Sequence, residues 1–502
     1  MYALRWLVGT KPRPLGYVGG DIVYPTHMPD NIDSIRQFVM GWTMCFNDVL
    51  DADMLHASLC RLLELGDWRK FGGRLRLPSD GGRMLEMHAP PAFTPERPAV
   101  AYTHETMGMR IAEHPLAREL PRPTGRQPSF WRGPDDFRVF ASRPGVPETV
   151  DDFATQDVPM LSLHITSFED ATLVALSYPH VVMDAMGQGD LLRAWSLVLA
   201  GRESDVPPLL GAREDVLYKA GAEPDVGQLR EEFVLKSKAM TTLGMIRFGL
   251  RMMWDIFWER KLPCQTIFLP RKMVEHMRAR ALQELEESAP EGAEKPWVSE
   301  GDVLLGFFAH KSALIQPPGR PMSMISPVDG RGRLGGLVRK DGMYIQNMQL
   351  GCSALLSAEQ ARGSASELAL ANRRALTEQA SPGQALAYAR YARKMWDAGS
   401  PIPLFGSPDM NLFITTNWAR ANLLQAARFG PAVVRAGDTG EGRTNPPGEM
   451  VFQHAQPLQP SIFARNVLGV LGKCHDGSYW LMGYFKPRMW ELVREAVDAM
   501  EY

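Results

Sequence analysis

The sequence predicts a two-domain α/β protein, each domain a mixed β-sheet flanked by helices, on three observations. A chain of 502 residues exceeds what one ordinary core accommodates. Alternating strand patterns give way to helical ones in both halves. Between the halves, residues 202–228 hold no sustained period and are rich in Pro, Gly and charge. These features divide the chain into an N-terminal domain over 1–205, a crossover over 206–235 and a C-terminal domain over 236–502.

In the first half, Asp51 to Leu65 sets Leu55, Leu59, Leu62 and Leu63 on one helical face, and Gly66 ends it. The chain then turns through Trp68 to Arg76 into a strand. Residues 158–179 alternate apolar and polar side chains on both sides of Glu169 and Asp170, which predicts two strands and a tight connection. From Asp190 onward, Leu191, Leu192, Trp195, Val198 and Leu199 recur at helical spacing until Gly201. The stretch SYPHVVMDAMGQGD at 177–190 is therefore a strand-to-helix junction that carries a histidine.

The second half opens with Ala239 to Trp258, mostly apolar, in which Arg247, Arg251 and Asp255 recur at four-residue spacing. That charged stripe predicts an amphipathic helix rather than a membrane span. Docking on its own protein is the preferred reading, with contact to a membrane surface through 239–258 as the alternative. A strand at Thr266–Leu269, helices at Pro270–Glu287 and Asp302–Ile315, and a strand at 322–327 follow. Asn466–Lys473 and Ser478–Phe485 flank a hairpin signal at His475-Asp-Gly477, and Pro487–Met500 reads as a closing helix. Residues 436–449 are rich in Gly and Pro and predict a surface loop.

A formal charge of −2 gives no electrostatic reason to expect nucleic acid, and the partner expected is a neutral or amphiphilic small molecule. Five scattered cysteines without metal-ligand spacing read as reduced thiols of a cytoplasmic protein. Arg5 interrupts the short apolar segment at the N-terminus, which lacks the features of a signal peptide. Met183 and Met186, among 28 methionines, suit ordinary core packing or an adaptable pocket beside the junction histidine.

A bare H-x-x-x-D such as His180 and Asp184 is weak evidence, because about 0.6 such pairs are expected by chance in this composition. Locally it also fits a histidine satisfied at a strand end, a helix-capping Asp184, or a metal pair lacking its other ligands. Five further segments specify it: Gly73-Arg74-Leu75, Ser299-Glu-Gly-Asp-Val-Leu304, Val328-Asp-Gly-Arg-Gly-Arg-Leu334, Tyr344-Ile-Gln-Asn347 and Thr416-Asn-Trp418. In this order they resemble the Gly-Arg-Leu, S-x-x-D-x-L, paired-arginine, Tyr-Phe-Gly-Asn and Thr-Ser-Trp segments of the BAHD family of acyl-CoA-dependent acyltransferases. The resemblance runs from about residue 40 to 490 and is strongest to the fungal branch that includes trichothecene 3-O-acetyltransferase. Two departures stand out. Ala185 occupies the usual glycine of HxxxDG, with Gly187 two residues on, and Arg428-Phe-Gly-Pro-Ala432 stands where the family has DFGWG, so the ion pair assigned to that motif is absent or rearranged.

The resemblance implies a chloramphenicol acetyltransferase-like fold with the active-site channel between its two domains. It implies acyl-CoA, acetyl-CoA first, as co-substrate without metal, and a monomer that takes a small-molecule acceptor, a polyketide or terpenoid alcohol of secondary metabolism. His180 is then the general base, for which a neutral imidazole is suited. An Asp184 paired with that ring would favour the cation, and the family instead turns this aspartate to an arginine of the second domain, here Arg331. Trp418 and Thr416 are implied as oxyanion donors, and Asp184, Arg331, Gly187 and Asn347 as structural residues at the site. The nucleotide end of coenzyme A calls for Lys or Arg that no motif identifies. Two alternatives keep the scaffold: an acyl-CoA-independent condensation, cyclisation or elimination using the same base, or a non-catalytic small-molecule binder.

Overall fold

The strand pair expected over 158–179 forms as Ser162–Ser167 and Thr172–Pro179, antiparallel, with Ser162 opposite Ser177 and Ser167 opposite Thr172. The computed structural model describes residues 15–78, 82–222, 231–437 and 443–502. Three stretches read above lie outside the described residues: the N-terminal 1–14, the 223–230 part of the crossover, and 438–442 of the Gly/Pro-rich loop. Thr172–Pro179 is the middle strand of a five-stranded sheet ordered 452–457, 39–46, 172–179, 162–167, 101–106. Helices Ala52–Leu62 and Ala185–Leu199 bury Leu55, Leu59, Leu191 and Trp195 in one core with this sheet. Asp51 caps the first of them by accepting from the Met54 amide, and Gly66 beyond it takes φ +51°, where glycine is strain-free.

The second sheet has seven strands ordered 349–356, 322–329, 411–417, 467–473, 479–484, 264–269, 129–132. It is mixed: Asn411–Asn417 runs parallel to both neighbours, and the remaining pairs are antiparallel. Helices Arg271–Glu287, Glu300–Leu314, Ala365–Gln379 and Pro487–Asp498 share a second core, in which Met273, Leu304, Leu368 and Trp490 are buried. The S-x-x-D start at Ser299 is a capping box, each of Ser299 and Asp302 satisfying the other's backbone amide.

The two sheets exchange strands. Ser129–Arg132, from the first half, is the edge of the seven-stranded sheet and pairs with Cys264–Leu269. Phe452–Pro457, from the second half, is the edge of the five-stranded sheet and pairs with Val39–Phe46. Sheet membership therefore cuts across a division at 206–235.

The amphipathic helix forms as Thr242–Trp258 and docks on its own protein, but apolar side chains stand on its outward face as well as on its docked one. Only Phe248 and Ile256 are buried. Phe248 packs with Met240 and Met410, and Met245 and Met252 lie against them; on the flank of the helix Arg247 pairs with Asp409 at 2.7 Å, and Arg251 donates to the carbonyls of Pro408 and Met410. Segment 407–410 supplies the partners of both arginines. Other large apolar side chains face outward. Among the described residues no helix is long and apolar enough to cross a membrane.

Candidate active site

The strand Thr172–Pro179 ends at Pro179, and His180 starts a short loop into helix Ala185–Leu199. Both backbone groups of His180 are held: its N–H donates to Phe38 O at 2.8 Å, and its carbonyl accepts from Asn347 Nδ2 at 2.9 Å. Nδ1 of the ring is buried, and the residue lines a cavity between the two sheets. Burial pulls the imidazole below its ordinary value of 6.5, against smaller upward pushes from its own carbonyl, Asp184 and Asp30.

Asp184 makes no hydrogen bond to His180. Its Oδ1 accepts from Arg331 Nη2 at 2.9 Å and its Oδ2 from Arg331 Nη1 at 3.1 Å, a two-pronged pair with side chains only 12% and 11% exposed. Oδ1 also caps the helix by accepting from Gly187 N at 2.9 Å, and Oδ2 accepts from Met348 N at 3.0 Å. Arg331 spends its remaining donors on Asp329 at 2.8 Å and on the carbonyls of Tyr344 and Gln346, each at 2.8 Å. The pair thus binds the histidine loop to the paired-arginine and Tyr-Ile-Gln-Asn segments at once.

That convergence explains the displaced glycine. A Cβ on Gly187 would stand 2.2 Å from Ile345 O, a backbone atom that cannot yield without moving the 344–348 segment. Position 185 faces no such demand, so alanine stands there. Asn347 has no exposed surface and gives its amide both to His180 O and to Asp30 Oδ1 at 2.8 Å. Asp30 escaped sequence reasoning, since it lies 317 positions from Asn347 in a segment with no periodic or motif signal. Burial disfavours its charge, but His27, Lys70 and Asn347 together hold its carboxyl below the usual carboxylate range.

Thr416 and Trp418, at the end of strand Asn411–Asn417, line the same cavity, which encloses about 2030 Å³. Trp418 Nε1 is not free: it donates to Thr416 Oγ1 at 2.7 Å, which leaves the threonine proton as the donor for a third group. In the altered DFGWG-like segment, Phe429 is fully buried between Phe46 and Trp195. Arg428 is exposed and has no ion-pair partner among the described residues. The ion pair near this segment is instead Asp48 with Arg443, 2.6 Å apart, and Asp48 also accepts from Gly448 N.

No family model matches the chain. It is 35% identical over 500 residues to acetyltransferase BOT5 of Botryotinia fuckeliana, across 96% of this chain and 91% of that one. It is 33% identical over 489 residues to O-acetyltransferase PaAT-2 of Phomopsis amygdali, across 96% and 98%. A relative 30% identical across 95% of each chain, calD of Penicillium decumbens, bears the name transcriptional regulator. In fold, the chain is similar to TRI101 of F. sporotrichioides, solved with coenzyme A and T-2, with a TM-score of 0.63 and 13% identity across 94% of this chain and 96% of that one. Vinorine synthase gives a TM-score of 0.54 at 12% identity across 96% and 93%.

Arg331→Met leaves the Asp184 carboxylate buried and unpaired, and chemical denaturation should register a loss of about 3 to 5 kcal/mol. A loss below about 1 kcal/mol would mean that the pair does not fasten the loop. Gly187→Ala should destabilise by about 1 to 3 kcal/mol through the clash with Ile345. Ala185→Gly should change unfolding by no more than about 1 kcal/mol, and equal effects of the two would remove the steric explanation.

Proposed function

The chain belongs to the BAHD family of acyl-CoA-dependent acyltransferases, alongside fungal acetyltransferases, and we propose that it transfers acetyl from acetyl-CoA to a hydroxyl of an apolar secondary metabolite with His180 as general base. One observation carries this reading: the carboxylate four residues from His180 is fully engaged by Arg331, Gly187 and Met348, so the imidazole stays neutral. With Nδ1 buried, Nε2 is the nitrogen left to meet a substrate. It takes the acceptor's hydroxyl proton as that oxygen bonds to the thioester carbonyl carbon. The carbonyl oxygen becomes an oxyanion, and Thr416 Oγ–H is its donor, oriented by the indole N–H that its oxygen already accepts. Collapse breaks the carbon–sulfur bond, and the departing thiolate recovers the proton from Nε2, so the ester leaves and the ring ends neutral.

A cavity of about 2030 Å³ exceeds the roughly 300 to 1000 Å³ typical of one small ligand and suits two co-substrates. Arg420, exposed on its wall and without an ion-pair partner among the described residues, is a candidate for the phosphates of coenzyme A. The acceptor class is a polyketide or terpenoid alcohol, and the enzyme acts as a cytoplasmic monomer of two strand-exchanged domains. A regulatory role of the kind that calD's name suggests would give the Thr416 donor and the neutral imidazole no chemistry to serve.

The test is acetyl transfer by purified protein to a panel of apolar alcohols, with His180→Ala beside it. Wild type should turn over, and His180→Ala should lose turnover while retaining acetyl-CoA binding by calorimetry; absence of binding by wild type would overturn the reading. Below its lowered pKa His180 is an imidazolium and cannot accept a proton, so kcat/KM should rise with pH along a limb whose midpoint lies under 6.5. A midpoint above 6.5 contradicts the neutral buried base. Thr416→Val should lower kcat by about 100-fold to 1000-fold, and Trp418→Phe by less, since it removes only the orienting bond. The reverse ranking would make the indole the donor.

A further inference from the structure

We infer that the outward face of helix Thr242–Trp258, with Ile462 and Phe463 beside it, seats the protein on the surface of a lipid bilayer. The face is apolar to an extent a water-facing helix does not need. Leu243, Leu250, Trp254, Phe257 and Trp258 are 75%, 68%, 61%, 71% and 67% exposed, and Ile246 and Met253 are exposed between them. At 100° per residue these side chains occupy an arc of about 140°, the breadth of a buried face, with Arg247 inside it held by Asp409 at 2.7 Å. The three aromatic rings cluster at one end, with Trp254 to Trp258 centroids 5.8 Å apart and Phe257 to Trp258 5.5 Å, and the amphipathic indoles of the two tryptophans favour the headgroup level of a membrane.

Charge distinguishes a bilayer from a second copy of the chain. Residues 236–261 hold six lysines and arginines against two acids, and acids outside the segment pair with Lys236, Arg247 and Lys261. Cations flank both ends of the face, and Lys238 at one end and Arg260 at the other lack an acidic partner among the described residues. A two-fold pairing of this face would bring cations against cations whether the helices ran parallel or antiparallel. Lipid phosphates at the rim of an inserted apolar face satisfy them instead.

The seat also adjoins the cavity. Met253, Ile256 and Phe257 line it from the helix, Ile462 and Phe463 line it from the neighbouring loop, and Arg465 ties the two by donating to Glu259 O at 2.6 Å and Asp255 O at 3.2 Å. An apolar molecule dissolved in the bilayer would therefore meet the cavity wall at the edge of the seat. The seat does not depend on what the cavity catalyses.

The test is flotation of the full chain with vesicles of phosphatidylcholine alone and of phosphatidylcholine with phosphatidylserine. The triple variant Leu243→Asn, Leu250→Asn, Trp254→Asn, none of which lines the cavity, is run beside it with its thermal unfolding checked. Wild type should float with both vesicles and more with the anionic ones, and the equally stable variant should partition about tenfold more weakly or worse. Wild type that stays in the soluble fraction, or a variant that floats like wild type, overturns the inference. So does light scattering that finds a wild-type dimer which the variant dissolves, since the face would then belong to a second copy.

Discussion

Two charges that have left water must find each other, and Asp184 and Arg331 do so across 147 positions of chain. A buried pair of this kind adds little net stability compared with apolar side chains in the same space. Its value lies in what it excludes: with one partner displaced the other is stranded, so the loop after Pro179 and the segment after Asp329 cannot shift independently. The cap on helix Ala185–Leu199, the close approach at Gly187 and the hold of Asn347 on His180 all follow from that single registration.

The histidine benefits twice. Its main chain is fixed from both sides by Phe38 and Asn347, which limits where the ring can go, and its nearest carboxylate in sequence is already saturated with donors. Desolvation of the ring outweighs the upward pushes of Asp184 and Asp30 and favours the neutral form, the state in which it can accept a proton.

Much of this was legible because it is local. His180 and Asp184 share a five-residue motif, Ser299 and Asp302 a capping box, and the closing hairpin a turn signature, so each is written in adjacent letters. Asp30 was not legible, because its role is defined by a contact with Asn347 that no spacing along the chain encodes. Val39–Phe46 was also missed: buried at almost every position, it lacks the alternation that marks a half-exposed strand. In helix Thr242–Trp258 the periodicity was plain but its orientation was not, since a stripe of charge and a stripe of leucine are equally periodic. Apolar side chains stand on both faces, and the one that docks, with Phe248 and Ile256, was decided by contacts such as that of Phe248 with Met410 on another part of the chain.

The exchanged strands carry a consequence for biogenesis. Val39–Phe46 leaves the ribosome early, yet the strand that covers its free edge, Phe452–Pro457, is translated roughly four hundred residues later. At about 5 to 20 residues per second, that interval lasts tens of seconds. During it the first sheet presents an apolar, unpaired edge, the form of strand most apt to pair with another chain. Synthesis of this protein therefore includes a long interval in which that edge lacks its native partner, one that the finished molecule no longer reveals.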